Sequence, residues 1–325
     1  MKSVSIGSLK LKIPVVYAPL AGYSDFPFRK MSSMFFPSLM FCEMVKVEAL
    51  LRKIPKTFQI LQYSEDMRPI GAQLCGSCPE DMGVSGRIIE DMGFDIIDVN
   101  CGCPTDRITK DGSGSGLLRT PVLLGKVIES LCNNVKIPVT VKIRSGWDNN
   151  SINVHEICKI IEEAGASAIF VHGRTVKQGY SGLSNRENVA LAKKSVKKIP
   201  IFGNGDIFAA HSAIDLMNET NCDGVLVARG TIGQPWIAKQ IEAILKKESF
   251  TIPSFLERKQ MFLTHLNYVN EFYNNDEKRL LMEAKKLCGW YLVSAIGVKK
   301  LRIELAKAKT KKEIFELINQ QENIS

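Results

Sequence analysis

No stretch of the 325 residues approaches the roughly 20 consecutive apolar residues that span a bilayer. The opening "MKSVSIGSLKLKIPVVYAPL" also lacks a long apolar core followed by a small-residue cleavage site. Neither a membrane span nor a secretory leader is expected, and the cytoplasm is the expected compartment. A disulfide framework is missing as well. The nine cysteines are odd in number and scattered through a chain long enough to bury a core without staples, so reduced thiols are expected. Where the first apolar strand ends the sequence reads "APLAGYSD", without the G-x-G-x-x-G of an open dinucleotide-binding sheet. The glycine-rich "KDGSGSGLL" has neither that spacing nor the P-loop spacing, and is read as a mobile flap.

What is present is an ordinary globular composition, 45% hydrophobic and 24% charged, with a formal net charge of +9. The charge is concentrated: from Lys285 to Lys312 nine basic residues face one acid, Glu304. A block of this kind suits either a polyanionic partner or a solvated lysine-rich helical surface.

Short apolar runs recur at Val15–Ala18, Leu39–Cys42, Ile70–Leu74, Ile96–Val99, Val139–Ile143, Ala168–Val171, Ile201–Gly203 and Gly224–Val227. Helix-like stretches such as "TPVLLGKVIESLCNN" and "NVHEICKIIEEAG" separate most of them. That alternation predicts an α/β fold, a (β/α)₈ TIM barrel over residues 1–250. After "TIPSF" the strand pattern stops, and residues 251–325 read as a small α-helical domain that carries the basic block.

Barrel enzymes keep their chemistry in the loops after the strands, and the unusual residues gather there. Pro19, Leu20 and Ala21 follow the first run; Gln73 and Cys75 end the third; Asn100 to Pro104 follow the fourth; Lys142 and Arg144 end the fifth. His172 and Arg174 follow the sixth, Asn204, Gly205 and Asp206 the seventh, and Ala228, Arg229 and Gly230 the eighth. The glycines and Arg229 suit phosphate binding after the last two strands, or a plain turn. In "VTVKIRSG" alternation puts Lys142 on one face with Thr140 and Arg144. An inward ammonium there needs an anion, either a ligand or a core carboxylate such as Asp98.

"DVNCGCP" leaves its chemistry open. Cys101 and Cys103, with Cys75 and Cys78 of "LCGSCP", could form a Cys₄ zinc or iron–sulfur site. The alternative is one working thiol. A cysteine with no base beside it has a pKa near 8.5 and is a usable proton donor at neutral pH, and Cys103 sits between Gly102 and Pro104 in a rigid turn.

Seven motifs in order, "APLAGYSDFPFR", "GAQLCGSCPE", "DVNCGCP", "VKIRSGW", "VHGRT", "NGDI" and "ARGTIGQPWI", resemble the tRNA-dihydrouridine synthases of bacterial type, from about residue 13 to "KKLCGWY" around Trp290. The resemblance implies an FMN-containing barrel, a helical tRNA-binding domain, and NADPH-dependent reduction of the C5–C6 bond of a particular uridine. It implies that Pro19, Leu20, Ala21, Gln73, Lys142, His172, Asn204, Gly205, Asp206, Ala228, Arg229 and Gly230 hold FMN. Cys103 would be the proton donor and Asn100 would orient the uracil. No metal ligand is assigned. Arg144, Arg174, Lys285, Lys286, Lys299, Lys300 and Arg302 are expected to face RNA, and a monomer is expected. Two positions depart from the family pattern: Ala228 replaces a common glycine, and Leu287 stands where related bacterial members usually carry histidine. A flavin barrel acting on a small molecule is the competing expectation, and it leaves the basic block without a purpose.

Overall fold

The computed structural model describes residues 3–293 and 297–321. A short antiparallel hairpin, β1 (Val4–Ile6) with β2 (Leu9–Leu11), precedes the barrel. The eight strands that follow are β3 (Val15–Tyr17), β4 (Leu39–Lys46), β5 (Ile70–Cys75), β6 (Ile96–Cys101), β7 (Val139–Arg144), β8 (Ala168–His172), β9 (Ile201–Asn204) and β10 (Gly224–Val227). All pair in parallel, and β10 closes onto β3. This is the expected TIM barrel. Each predicted run falls on one of its strands, and several strands run further toward the C-terminal end than the apolar runs do. They continue because Asn100, Arg144 and His172 extend them as polar residues.

Period-two alternation sorts the strand side chains into two sets. Ile97, Val99, Val141, Ile143, Ile169 and Val171 point outward and join the apolar layer under the surrounding helices. Val16, Leu39, Phe41, Ile96, Phe170, Phe202 and Leu226 point inward and pack with Val4, Ile6 and Leu11 of the hairpin. Phe170 meets Phe41 at 5.7 Å and Phe202 at 5.3 Å between ring centroids. The hairpin thus plugs the N-terminal end of the barrel, and sequence reading assigned it no element because its strands are only three residues each.

Above this apolar floor the inward positions turn polar: Gln73, Asp98, Thr140, Asn100, Lys142, His172 and Asn204. The strands therefore deliver a polar cluster to the C-terminal mouth on a rigid hydrophobic base. On β4 the pairing register shifts between Phe41 and Met44. Such an irregularity re-aims side chains beside a site, and Met44 lines the cavity described below.

"KDGSGSGLL" is not a flap. Ser113 and Ser115 are fully buried, and Gly114–Arg119 forms a tight 3₁₀ turn packed beneath the Cys103 loop. The glycine content permits that close turn, which sequence reading took for mobility.

After the barrel come helices Phe255–Phe272, Glu277–Tyr291, Val298–Leu305 and Lys311–Asn319. Phe262, Leu266, Leu280, Leu287, Tyr291, Leu301 and Ile314 form their apolar cluster, which also takes in Phe28 and Ile232 from the barrel. Phe26 stacks on Phe272 at 4.8 Å, and the Tyr273 hydroxyl donates to Asp25 at 3.0 Å, so the helices are seated on the barrel rim. Among the described residues no helix is long and apolar enough to cross a membrane.

Candidate active site

The cavity at the C-terminal mouth has a volume of about 420 Å³ and is lined by residues from every barrel strand end. That size suits a bound small molecule. Pro19, Leu20, Ala21, Gln73, Asn100, Cys103, Lys142, His172, Asn204, Gly205, Asp206, Ala228 and Arg229 all reach it. Eight loops that are distant in sequence therefore converge, because one barrel presents all its strand ends on the same side.

Its floor is a hydrogen-bonded chain. Thr140 donates to Asp98 at 2.7 Å, Gln73 Nε2 donates to the other Asp98 oxygen at 2.6 Å, and Asn100 Nδ2 donates to Gln73 Oε1 at 2.8 Å. Burial pushes the Asp98 carboxyl up to about 6, against the pull of these donors and of Lys142. Gln73 is thus held from both ends, which fixes which face of its amide the cavity meets.

Lys142 is the exception to this saturation. No hydrogen bond or ion pair within 4 Å holds its ammonium among the described residues, and Asp98 acts on it only at longer range. Burial, then the neighbouring Arg144, push it down to about 8, while Asp98 and Cys103 oppose the shift. Lys142 is half-buried in the cavity lining, and an ammonium held away from bulk water without a protein acceptor favours a ligand that supplies one. The His172 ring is pushed to about 2 by burial and by the charges of Lys142, Arg144, Arg174 and Arg229, so it is neutral at physiological pH. The cavity therefore carries excess positive potential.

Cys103 is half-buried at the cavity edge, and its Sγ lies 3.4 Å from Thr105 Oγ1. Its turn is built by Asn100, whose Oδ1 accepts the N–H of Gly102 at 3.2 Å and of Cys103 at 2.9 Å. From below, Ser115 gives its hydroxyl (2.9 Å) and its N–H (3.1 Å) to the Cys103 carbonyl. Asn100, expected to orient a base, lines the cavity and also braces Gln73 and this turn through its amide. Cys101, two residues earlier, is fully buried in the outer apolar layer. Cys75 is buried and Cys78 is exposed at the start of the Pro79–Asp91 helix, so the four thiols do not converge. Among the described residues no cluster of three or more metal-ligating side chains occurs.

Three expected site residues, Arg174, Arg144 and Gly230, sit differently from expectation. Arg174 is 3% exposed and grips Asp206 through two hydrogen bonds of 2.8 Å, so it is a brace and not an RNA contact. Burial opposes the Asp206 charge, but Arg174 and the Ser184 N–H outweigh it and hold that carboxyl below the usual carboxylate range. Arg144 is also 3% exposed, and it donates to the carbonyls of Gly102, Thr175 and Gly179 at 2.7 to 3.1 Å. Its charge lines the cavity, and its guanidinium is committed to loop backbone. Gly230 does not line the cavity. A Cβ there would stand 2.1 Å from the Ile207 carbonyl, so the glycine allows close packing of two loops.

Sequence reading overlooked Tyr23, Met44, Tyr180, Ile207 and Phe208 in the lining. Tyr180 and Phe208 sandwich Arg229, at 4.3 and 5.0 Å from its guanidinium carbon. Their exposure, 61% and 41%, is what lone loop aromatics with no strand partner could have signalled.

The family model for dihydrouridine synthase (Dus) matches residues 16–325. The chain belongs to the dihydrouridine synthase family. It is 33% identical over 288 residues to "tRNA-dihydrouridine synthase B" of Pasteurella multocida, covering 88% of this chain and 86% of that one. It is 36% identical over 308 residues to "Probable tRNA-dihydrouridine synthase" of Rhodobacter capsulatus, covering 94% of each. A "Probable tRNA-dihydrouridine synthase 1" from Synechocystis is 34% identical over 98% of this chain and 89% of that one. Among solved structures, histamine dehydrogenase from Rhizobium sp. 4-9 shares the barrel, with a TM-score of 0.58 at 14% identity over 82% of this chain and half of that one. The dihydrouridine synthase match accounts for the barrel and the C-terminal helices together, since it runs through both.

Of the family-pattern departures, Leu287 is 2% exposed inside the helical core, so that position offers RNA nothing. Lys299, Lys300 and Arg302 lie exposed on the Val298–Leu305 helix. Lys285 instead donates to the Ala306 carbonyl at 3.4 Å, and Lys286 is drawn into the barrel rim.

Proposed function

We propose that this dihydrouridine synthase reduces the C5–C6 double bond of a uridine in tRNA to 5,6-dihydrouridine, with bound FMN and with NADPH as the reductant. The reading divides the chain into a catalytic barrel, residues 1–250, and an RNA-binding helical domain, residues 251–325. The observation that carries it is that one cavity gathers a half-buried ammonium with no protein acceptor, Lys142, and a thiol on a fixed turn, Cys103.

The residues present fit a flat, anionic cofactor. Lys142 lacks an acceptor, Arg229 is held at the rim by aromatic rings, and the backbone at Gly205 and Ala228 opens toward the same space. Gln73, locked by Asp98 and Asn100, offers a fixed amide edge to a heterocycle. When bound, the flavin supplies the hydride that goes to uracil C6. Cys103 gives its thiol proton to C5, and solvent returns that proton to the sulfur afterwards. Lys142 keeps its positive charge against the cofactor's anionic edge, where the dry cavity strengthens it. His172, neutral, can donate one hydrogen bond without adding charge. Because the chain carries no dinucleotide fingerprint, NADPH visits the same open face before RNA does. The target uridine must leave its stack to enter, while the exposed Lys299, Lys300 and Arg302 grip phosphate.

The decisive experiment compares dihydrouridine in RNA from cells with and without this protein, complemented by wild type, Cys103→Ala and Cys101→Ala. Wild type and Cys101→Ala restore the modification; Cys103→Ala retains flavin and NADPH oxidation but loses about 10² to 10⁴ in uridine reduction. Equal behaviour of the two variants ends the single-thiol assignment, and activity on a free pyrimidine without RNA ends the tRNA reading.

A further inference from the structure

Lys286 belongs to the basic block by sequence, yet its ammonium is turned toward the barrel. The loop after β3 lines the cavity through Leu20, Ala21 and Tyr23. It is a tight turn, closed by the N–H groups of Tyr23 and Ser24 on the Leu20 carbonyl, each at 2.9 Å. Its apex is Gly22, at φ +78° with open space around it. A Cβ there would meet nothing within 4 Å, and both polar groups of Gly22 are taken. Its N–H donates to the Glu43 carboxylate on β4, and its carbonyl accepts from Lys286 Nζ at 2.6 Å.

On the helix side the partner is pre-set. Arg279, Glu283 and Lys286 stand at i, i+4 and i+7, which puts them on one face of the Glu277–Tyr291 helix. Glu283, 3% exposed, pairs with both cations, with Arg279 at 3.1 Å. Arg279 also donates to Tyr273, and Tyr273 to Asp25 at 3.0 Å, so the stripe is anchored at the base of the same loop. Lys286 Nζ lies 4.8 Å from the centre of the Tyr23 ring. An ammonium tied to a buried carboxylate, a carbonyl and a ring has little left for a phosphate.

We infer that Lys286 and Glu43 clasp the Gly22 peptide between the C-terminal helices and β4, making Lys286 a positioning residue for the cavity wall rather than an RNA contact. This deepens the function proposed above and rests on it for the substrate. The helices that receive RNA thereby also hold the Leu20 to Tyr23 wall against which the cofactor and the incoming base must fit. A wall left loose raises the barrier to the reaction without weakening the grip on RNA phosphates.

The test uses the full-length, flavin-loaded protein and three variants, Lys286→Met, Lys286→Arg and Glu43→Ala. In Lys286→Met, amide hydrogen exchange in residues 19–24 should accelerate by about tenfold or more, with the helices unchanged. Its kcat on tRNA should fall by about tenfold while the tRNA Kd and its salt dependence stay within about twofold. Lys286→Arg should recover both readouts, because a guanidinium can still reach the carbonyl. If exchange in 19–24 stays at the wild-type rate, or the Kd weakens and the salt slope drops by about one with kcat intact, Lys286 is a phosphate contact and the clasp is wrong. Should Lys286→Met loosen the helices themselves, Glu43→Ala breaks the clasp from the barrel side, and unchanged exchange in 19–24 there overturns the inference equally. Wild-type protein that makes no dihydrouridine in tRNA would sink the functional reading but leave the exchange result standing.

Discussion

Arg144 and Arg174 at the barrel mouth are each 3% exposed, and carbonyls or Asp206 hold their guanidiniums. Lys300 and Lys312 on the C-terminal helices are 82% and 83% exposed and, among the described residues, pair with the glutamate one turn on, at 3.7 and 3.8 Å. The same formal charge therefore acts in two ways. At the mouth it is fixed and largely shielded from solvent, it adds to the depression that burial imposes on the Lys142 and His172 pKa values, and it sets a local potential that salt screens little. On the helices it is mobile and wet, so it attracts polyanions from a distance and weakens as salt is added. A residue count of +9 cannot distinguish these two populations; burial does.

The comparison breaks hardest at Lys142. Lys142→Met should weaken FMN binding by about 10²-fold, because the half-buried cavity cation that would meet the cofactor's negative charge is gone. The wild-type pH dependence follows from the same group. Its pKa near 8 lies below that of a free lysine, so the charged form is complete only on the acid side. Titration of the apoprotein with FMN should show affinity flat up to about pH 7 and falling as pH rises through 8, by at most about tenfold per unit. Lys142→Met should be flat across that range, and a wild-type curve that rises instead would refute the role. Next in size is Asp206→Asn, which leaves Arg174 buried with a neutral partner. Asp206 is 26% exposed and solvent moderates the loss, so thermal or denaturant unfolding should show a cost of about 2 kcal/mol. A cost near zero would mean the brace carries no stability.

The barrel was legible because its eight short apolar runs alternate with helix-like stretches and their polar ends mark the mouth. Cys103, Lys142 and Gln73 stood out for the same reason, as chemistry-bearing residues at strand ends. What the sequence could not carry was commitment. Arg144 and Arg174 have the right residue type for RNA contacts, yet the loop from 175 to 184, not adjacent to Arg144 in sequence, and Asp206 supply partners that engage them. Tyr180 and Phe208 escaped because no local periodicity tells a rim aromatic from a loop aromatic. The three-residue strands of the plugging hairpin are too short for alternation to register. Lys286 looked like its neighbour Lys285 in a string of lysines, although the Arg279, Glu283, Lys286 spacing already placed it on a face of its own.

On the helical side the expected effects are smaller and depend on salt. Lys299→Ala/Lys300→Ala/Arg302→Ala should weaken tRNA binding by about tenfold near physiological ionic strength and lower the slope of log Kd against log salt by about two. FMN affinity and NADPH oxidation should not change, since none of the three lines the cavity. Filter binding across a salt series separates the outcomes: a fall in affinity with an unchanged slope would mean the helix had been disrupted instead of discharged.

The mildest substitution is the sharpest test of exposure as the deciding variable. Glu304→Gln removes the only acid from the basic block, the same carboxylate-to-amide change as Asp206→Asn at the mouth. Its partner Lys300 is 82% exposed at 3.7 Å, so water replaces the lost carboxylate and the pair was worth little. Stability should shift by less than about 0.5 kcal/mol. Affinity for tRNA should rise by about twofold at low salt and show no gain at high salt, because one less negative charge near phosphate is a screened, long-range effect. If Glu304→Gln instead costs as much stability as Asp206→Asn, the helical cations are as structurally committed as those of the barrel, and their assignment to RNA fails with the contrast.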